Sequence, residues 1–375
     1  MRKIFPEFDS IPHADTLARL LEKINVNIIE DAHIALIKQL ISGKKFKKLL
    51  INGCIPITID GCQKLFRNAL LHDSHWLQRT VGNDDNKISQ QYVYAMEANI
   101  TLKNGLSIPL LTEYLSMENN QLINPISKQD CELNAFERLA DKLKQHFPRL
   151  KMIIFMDALY ATQGVMGTLH KYGWEYVIKF SKNKLKSFAK LLNKQRKLRI
   201  PDQRYYRGRQ QEFYWKNNIV YGYDWELIVS LVACLERREE VNKKTGEVEV
   251  KYSEHTWISS IPFTIDNVHE FLNLGARKKE AIEDSINTEK NRGYHYKHLF
   301  SHNWNAMKGF HLLMRLGHAL NALSQFVKRL KKYVKENGIG ATLLFIKETL
   351  FSPWLNDVWL EEQHNQIPQL RFLME

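Results

Sequence analysis

The chain has 375 residues, enough for one large core with an insertion or for two domains. Its 54 Lys and Arg against 41 Asp and Glu give a formal net charge of +13, which favours a polyanionic partner. The four cysteines show no paired spacing, so they indicate neither a disulfide framework nor a zinc ribbon, and a reducing compartment fits. With no apolar run of signal-peptide or membrane-spanning length, the sequence predicts a soluble, cytoplasmic protein that does not contact membranes.

Residues 1–50 are predicted to form a small helical region. Apolar side chains recur at helical spacing over residues 17–24 and again over residues 29–40, and Gly43 follows as a C-cap. A run of four lysines occupies residues 44–48. It is either a contact to DNA phosphates or a solvated linker.

Two buried strands are each predicted to end in an aspartate. The segment Ile55-Pro-Ile-Thr-Ile precedes Asp60, which is followed by a glycine, and five consecutive apolar residues precede Asp157. Neighbouring strands lie about 4.8 Å apart, so adjacency would bring both carboxylates within bridging distance of one metal ion. For Asp60 the alternative is an aspartate that caps a turn.

The other predicted elements alternate between strands and helices, which indicates an α/β fold with its site at strand ends. They are strands Gln91–Leu102 and Leu106–Ser116 with a hairpin turn at Lys103–Gly105, helices Glu132–Phe147 and Thr162–Tyr172, strand Trp174–Phe180, and helix Trp304–Tyr333.

Residues 181–255 are predicted to be a β-rich insertion. A basic stretch, Lys182–Arg199, precedes aromatic strand-like segments and a hairpin turn at Lys243–Gly246. Interleaved cations and aromatic rings suit a DNA groove in which a displaced base stacks on Tyr214 or Trp215. Packing of these rings in the core is the alternative.

A helix beginning near Ala276 would place Lys279, Glu283 and Lys290 on one face, since seven residues bring a helix back to within about 20°. The neighbouring Ile282 and Ile286 would pack this helix on a core. One carboxylate between two cations suits a divalent metal ion beside a phosphodiester. An exposed helix with ion pairs four residues apart is the alternative.

Together these features resemble the cut-and-paste DDE transposases of bacterial insertion sequences, in the branch with a Tyr-x2-Arg-x3-Glu-x6-Lys signature. The features are Asp60 in ITIDG, Asp157 in FMDALY, the β-rich insertion, and Glu283 followed after six residues by Lys290. The resemblance covers about residues 50–323 and includes the run NRGYHYKHLF.

The chain departs from this signature at two positions. Ala276 stands in place of the tyrosine and Lys279 in place of the arginine, positions that in the branch help to hold transposon-end phosphates. Lys279 keeps the charge without the bidentate geometry of an arginine. The role of the tyrosine is therefore lost or relocated, and a hairpin route of cleavage is not carried over.

The resemblance implies a ribonuclease H-like mixed sheet that is flanked by helices and interrupted by the insertion. In such a core, Asp60, Asp157 and Glu283 would be catalytic and would bind two Mg²⁺ ions, with Mn²⁺ as a substitute. Glu280 and Glu289 are alternatives for the third carboxylate, although neither keeps the spacing to the signature lysine.

The function implied is metal-dependent cleavage at insertion-sequence ends and strand transfer into target DNA. The partners would be double-stranded DNA, in the terminal inverted repeats and the target, and a second copy of the chain in a synaptic dimer. Lys290, and more weakly Lys279, would contact phosphate. A catalytically silent DNA-binding regulator and a structure-selective nuclease remain the alternatives.

The predicted domain organisation has five parts: a helical region 1–50, the first part of the catalytic core 51–180, the β-rich insertion 181–255, the second part of the core 256–335 with the Glu283 helix, and a C-terminal tail 336–375.

Overall fold

The structure, a computed structural model, describes residues 13–69, 75–83, 86–116, 130–198, 200–222, 226–242, 246–351, 358 and 361–362. Most of the predicted turn at Lys243–Gly246 and most of the predicted tail lie outside these residues. The chain forms two compact units. No helix in the described part of the chain is long and apolar enough to cross a membrane.

The regular elements follow in chain order. They are α1 Ala14–Lys23, α2 Asn27–Ser42, β1 Ile55–Arg67, β2 Leu77–Val81, β3 Ile88–Thr101, β4 Ser107–Leu115, α3 Glu132–His146, β5 Met152–Met156, α4 Gln163–Tyr172, β6 Glu175–Lys179, α5 Lys186–Leu198, β7 Asp202–Tyr206, β8 Arg209–Tyr221, β9 Leu227–Val241, β10 Val248–Ser259, α6 Glu280–Asn291, α7 Trp304–Ser324 and α8 Lys328–Phe351.

One unit contains the helices α1, α2, α7 and α8. The side-chain amide of Asn305 donates to the carbonyls of Leu21 and Ile24, each at 2.8 Å, and this satisfies two orphan carbonyls at the end of α1. The prediction of one helix from Trp304 to Tyr333 is wrong, because α7 ends at Ser324. There the amides of Phe326 and Val327 donate three residues back, in a tighter turn.

The second unit is built on a ten-stranded sheet in the order β2-β3-β1-β5-β6-β10-β9-β8-β7, with β4 paired to β3. At its centre β1 runs antiparallel to β3 and parallel to β5, and β5 runs parallel to β6. All five residues of β5 are buried, as its apolar run predicts. This mixed sheet with flanking helices confirms the predicted α/β, ribonuclease H-like class.

The strand carrying Asp60 continues beyond it, so the prediction that the strand ends there is wrong. β1 pairs with β3 from Ile57 through Arg67, whereas its parallel pairing with β5 stops at Thr58. On the side of β3, Asp60 therefore lies in the middle of the paired strand. On the side of β5, it lies just past the end of the parallel pairing.

The region after β6 extends the same sheet. It begins with α5, a helix inside the basic stretch that the sequence analysis left without regular structure, and goes on to β7–β10. β10 pairs with β9 along its whole length, and its last residues, Trp257–Ser259, also pair with β6. The chain thus rejoins β6 at Trp257–Ser259. The five-part domain division itself stays a prediction.

The helix that carries Glu283 has an irregular start. Residues 270–275 form a π-helical turn and residues 276–279 a 3₁₀ turn, and α6 begins at Glu280. Ile282 and Ile286 are buried, as their spacing predicts. A Cβ on Gly275 would lie 2.5 Å from Cζ of Phe155 in β5, so glycine allows this turn to approach the central strand closely.

Candidate active site

Three carboxylates converge on the side-chain nitrogen of one lysine. The Nζ atom of Lys279 lies 3.2 Å from Oδ2 of Asp60, 2.5 Å from Oδ2 of Asp157 and 3.0 Å from Oε1 of Glu283. The structure thus brings together the three carboxylates that the sequence analysis selected. We call these four residues the carboxylate cluster.

Each member of the cluster comes from a different part of the sheet unit. Asp60 lies on β1, and Asp157 directly follows β5, its parallel neighbour. Lys279 ends the 3₁₀ turn, and Glu283 lies one helical turn later, so the two pair at the i,i+4 spacing. The cluster therefore forms where the parallel pairing of β1 with β5 ends, beside the turn that leads into α6.

The cluster is buried at its centre and open on one side. The side chain of Lys279 is 8% exposed and that of Asp60 is 21% exposed, whereas those of Asp157 and Glu283 are 45% and 53% exposed. Solvent, and any substrate, would therefore reach the cluster from the side of Asp157 and Glu283.

The pKa values of Asp60 and Lys279 depend on the other members of the cluster. Burial is the main factor that raises the pKa of Asp60, the charges of Asp157 and Glu283 add to it, and Lys279 opposes it. Burial lowers the pKa of Lys279, but the carboxylates more than offset this and hold it above its usual range. The shared cation therefore reduces the cost of gathering three carboxylates but does not remove it for Asp60.

The chemistry of this donor set fits a hard divalent ion, which prefers carboxylate oxygens. In the described part of the chain, no set of three or more His, Cys, Asp or Glu side chains is spaced to hold a metal ion. The ammonium of Lys279 is the cation that the three carboxylates share in this conformation.

A partly buried polar network supports the strand at Asp60. Tyr94 donates to Oε1 of Glu132 at 2.7 Å, and Tyr160 donates to Oε2 at 2.5 Å. Burial, together with this carboxylate, raises the pKa of both phenols. A Cβ on Gly61 would lie only 2.7 Å from the Tyr94 hydroxyl oxygen, so the glycine beside Asp60 makes room for the network.

The sequence analysis missed this network. Tyr160 lies three residues after Asp157, and Glu132 opens α3, where a negative charge suits the helix dipole. Tyr94 gives no local signal, because only the pairing of β3 with β1 brings it near Asp60.

The candidate DNA-contacting residues are in different environments. Lys279 is buried in the cluster, and Lys290 lies in the last turn of α6, 5.8 Å from the ring centre of Tyr296. Tyr214 is buried and donates to Glu212, and Trp215 is partly buried against the core. Base stacking by Tyr214 or Trp215 stays a prediction.

The two alternatives for the third carboxylate have other partners. Glu289 is buried and forms ion pairs with Arg315 and His318. Glu280 is exposed and lines a small cavity with several cations.

The family model described as the transposase DDE domain matches residues 121–320, more than half of the chain. The chain therefore belongs to the DDE transposases, a family that acts on DNA and generally uses divalent metal ions. The match contains Asp157 and Glu283 but begins after Asp60, so Asp60 is selected by its place beside Lys279. No curated protein matches the chain.

Proposed function

We propose that this protein is a cut-and-paste transposase that cleaves DNA at the ends of its insertion sequence and transfers them into target DNA. The observation that carries the proposal is the convergence of Asp60, Asp157 and Glu283 on Lys279. A nucleic-acid-binding regulator would not need three carboxylates gathered from two strands and a helix. The family and the positive net charge agree with a DNA substrate.

Asp60, Asp157 and Glu283 would hold two Mg²⁺ ions, for which Mn²⁺ can substitute. When bound, such a pair lowers the pKa of the attacking oxygen and stabilises the leaving oxygen of an in-line displacement at phosphorus. The exposed sides of Asp157 and Glu283 leave room for a DNA strand.

The other proposed roles belong to cations and to the oligomer. Lys279 keeps the three carboxylates together by offsetting their mutual repulsion. Lys290, in the last turn of α6, would contact a phosphate near the scissile bond. A synaptic dimer, with one copy of the chain at each end of the element, is proposed from the resemblance to DDE transposases.

The test is Mg²⁺-dependent cleavage and strand transfer on duplex DNA that carries the element's own ends. The parent protein should give both products. Asp157→Asn should give neither and should still bind DNA, because phosphate contacts supply most of the affinity. Asp284→Asn is the matched control: this exposed carboxylate follows Glu283 on α6, and its loss should leave both products unchanged.

Other results would favour another function. A parent protein that binds these ends and never cuts them would be a DNA-binding regulator. A parent protein that cuts without joining, or without preferring the ends, would be a structure-selective nuclease.

A further inference from the structure

A small basic cavity lies between the β7–β8 hairpin and the turn that leads into α6. Its volume is about 90 Å³. The residues that line it are Tyr206, Arg207, Arg209, Asn273, Arg277, Lys278 and Glu280. Four of these side chains are cations, and Glu280 is the only carboxylate among the described lining residues.

The positive charge of the cavity is only partly balanced. Glu236, which does not line the cavity, forms ion pairs with Arg277 at 2.7 Å and with Arg209 at 3.3 Å. No carboxylate in the described part of the chain forms an ion pair with Arg207 or Lys278. Four cations against two carboxylates, Glu236 and Glu280, leave two positive charges uncompensated.

Arg207 occupies an unfavourable backbone position. It has φ +50° and Gly208 has φ +76°, so the two form the tight turn between β7 and β8. Such turns favour Asn, Asp or Gly at the first position, and another residue there costs on the order of 1 kcal/mol. The turn itself therefore does not explain the arginine. Its guanidinium lies 5.3 Å from the ring centre of Tyr206, which directs it along the hairpin.

Two of the lining residues, Arg277 and Lys278, are incompletely satisfied. The Nε atom of Arg277 is buried and has no hydrogen-bond partner in the described structure. Burial, together with the charge of Arg207, lowers the pKa of Lys278, and the charge of Glu280 offsets this only in part. A bound anion would stabilise the ammonium of Lys278.

We infer that this cavity binds one phosphodiester group of a DNA strand. A cavity of this size admits a phosphate group, and guanidinium and ammonium groups are the side chains that bind phosphate best. Lys278 and Lys279 are consecutive, with one facing the cavity and the other the carboxylate cluster, so the bound phosphate belongs to the strand at the cluster. This inference rests on the proposed function.

The test compares two variants that each remove two positive charges. The cavity variant combines Arg207→Gln with Lys278→Gln and so removes the two cations of the cavity that form no ion pair with a described carboxylate. Arg237→Gln with Arg238→Gln removes two arginines from β9 that are already paired with Glu239 and Glu240. The measurement is the affinity for end-bearing duplex DNA over a range of salt concentrations, without metal, so that cleavage plays no part.

The cavity variant should bind roughly tenfold more weakly at low salt. It should also lower the slope of log affinity against log salt by about 1, because one phosphate contact is lost. The control variant should change the slope by much less. Arg207→Lys with Lys278→Arg should restore the slope, which a general loss of folding would not allow.

Equal losses in the cavity and control variants would overturn the inference, because net charge alone would then explain the binding. A second result would also overturn the inference. In it, inorganic phosphate stabilises the parent protein against heat, whereas duplex DNA neither stabilises it nor competes with phosphate for binding. If the slope changes as expected but the parent never cleaves or joins DNA, the phosphate site stands and the proposed transposase activity fails.

Discussion

Asp60 is the most buried carboxylate of the cluster, and its raised pKa shows that its charge is disfavoured in the folded protein. A carboxyl group whose folded pKa is raised lowers stability above that pKa. We therefore expect Asp60→Asn to unfold at the same or a higher temperature at neutral pH. The difference should vanish in acid, where Asp60 is protonated in the parent.

If Asp60 holds the metals as proposed, the same Asp60→Asn variant should lose cleavage by about a thousandfold or more, since such a ligand is worth several kcal/mol. Thermal unfolding and the cleavage assay test the two expectations together. A marked fall in unfolding temperature at neutral pH would mean that the ion pair with Lys279 outweighs the burial of Asp60.

Lys279 is expected to be the counter-ion of the cluster when no metal is bound. Lys279→Met should reduce the free energy of unfolding by about 2 kcal/mol, because three neighbouring carboxylates lose their shared cation while two of them stay half-exposed. Millimolar Mg²⁺ should restore part of this loss, and acid should shrink it. Urea unfolding with and without Mg²⁺ measures both effects. Lys290→Met is the control and should show no such dependence on Mg²⁺.

The sequence predicts the carboxylates better than it predicts the lysine. Burial patterns and spacing select Asp60, Asp157 and Glu283. The position of Lys279 in the signature suggests a phosphate contact, whereas its side chain is buried among the carboxylates. The i,i+4 spacing to Glu283 is visible in the sequence, but the approach of two strands to the same nitrogen is a long-range contact that local pattern does not contain.

At the scale of elements, the start of α6 depends on close packing against β5. Gly275→Ala would place a methyl group 2.5 Å from the ring of Phe155, which must then shift together with the turn that carries Lys279. We expect a loss of about 2 kcal/mol in the free energy of unfolding and weaker cleavage, because Glu283 would move relative to Asp157. Urea unfolding and the cleavage assay measure these effects.

The control for Gly275→Ala is Gly164→Ala in α4, where a Cβ would meet nothing within 4 Å. This substitution should be neutral or stabilise by up to about 1 kcal/mol. Equal effects of the two substitutions would show that the close approach at Gly275 does not position α6.

Glycine is also where the sequence-based prediction of elements fails. A glycine after Asp60 suggests that the strand ends in a turn, yet β1 continues to Arg67. The structural reason for Gly61 is the space that Tyr94 and Glu132 occupy beside it. Strand prediction from periodicity cannot distinguish a glycine needed for backbone geometry from one needed for a neighbouring side chain.

At the scale of the whole molecule, acid sensitivity should come in part from His33. Burial, with a smaller effect from Arg315, lowers its pKa to about 4 from the usual 6.5, so it is neutral in the folded protein. Because the unfolded chain takes up a proton first, this contribution is present above pH 6.5 and is lost as the pH falls to about 4. The loss amounts to about 3 kcal/mol.

His33→Leu should therefore flatten the pH dependence of stability between pH 6.5 and about 4. Urea unfolding at neutral and acidic pH measures it. His170→Gln, at an exposed histidine of α4, should leave the slope unchanged. A parent and a His33 variant with parallel pH profiles would show that other groups cause the acid sensitivity.

The path of β10 has a consequence for any attempt to shorten the protein. Its last three residues pair with one edge of β6, while most of its length belongs to the predicted β-rich insertion. Deleting residues 181–255 would weaken this pairing. The backbone of Glu175–Lys179, with the apolar Val177 and Ile178, would then form an open edge of the sheet. Open apolar edges pair with other chains. A shortened protein would thus be expected to aggregate before its enzymology could be studied.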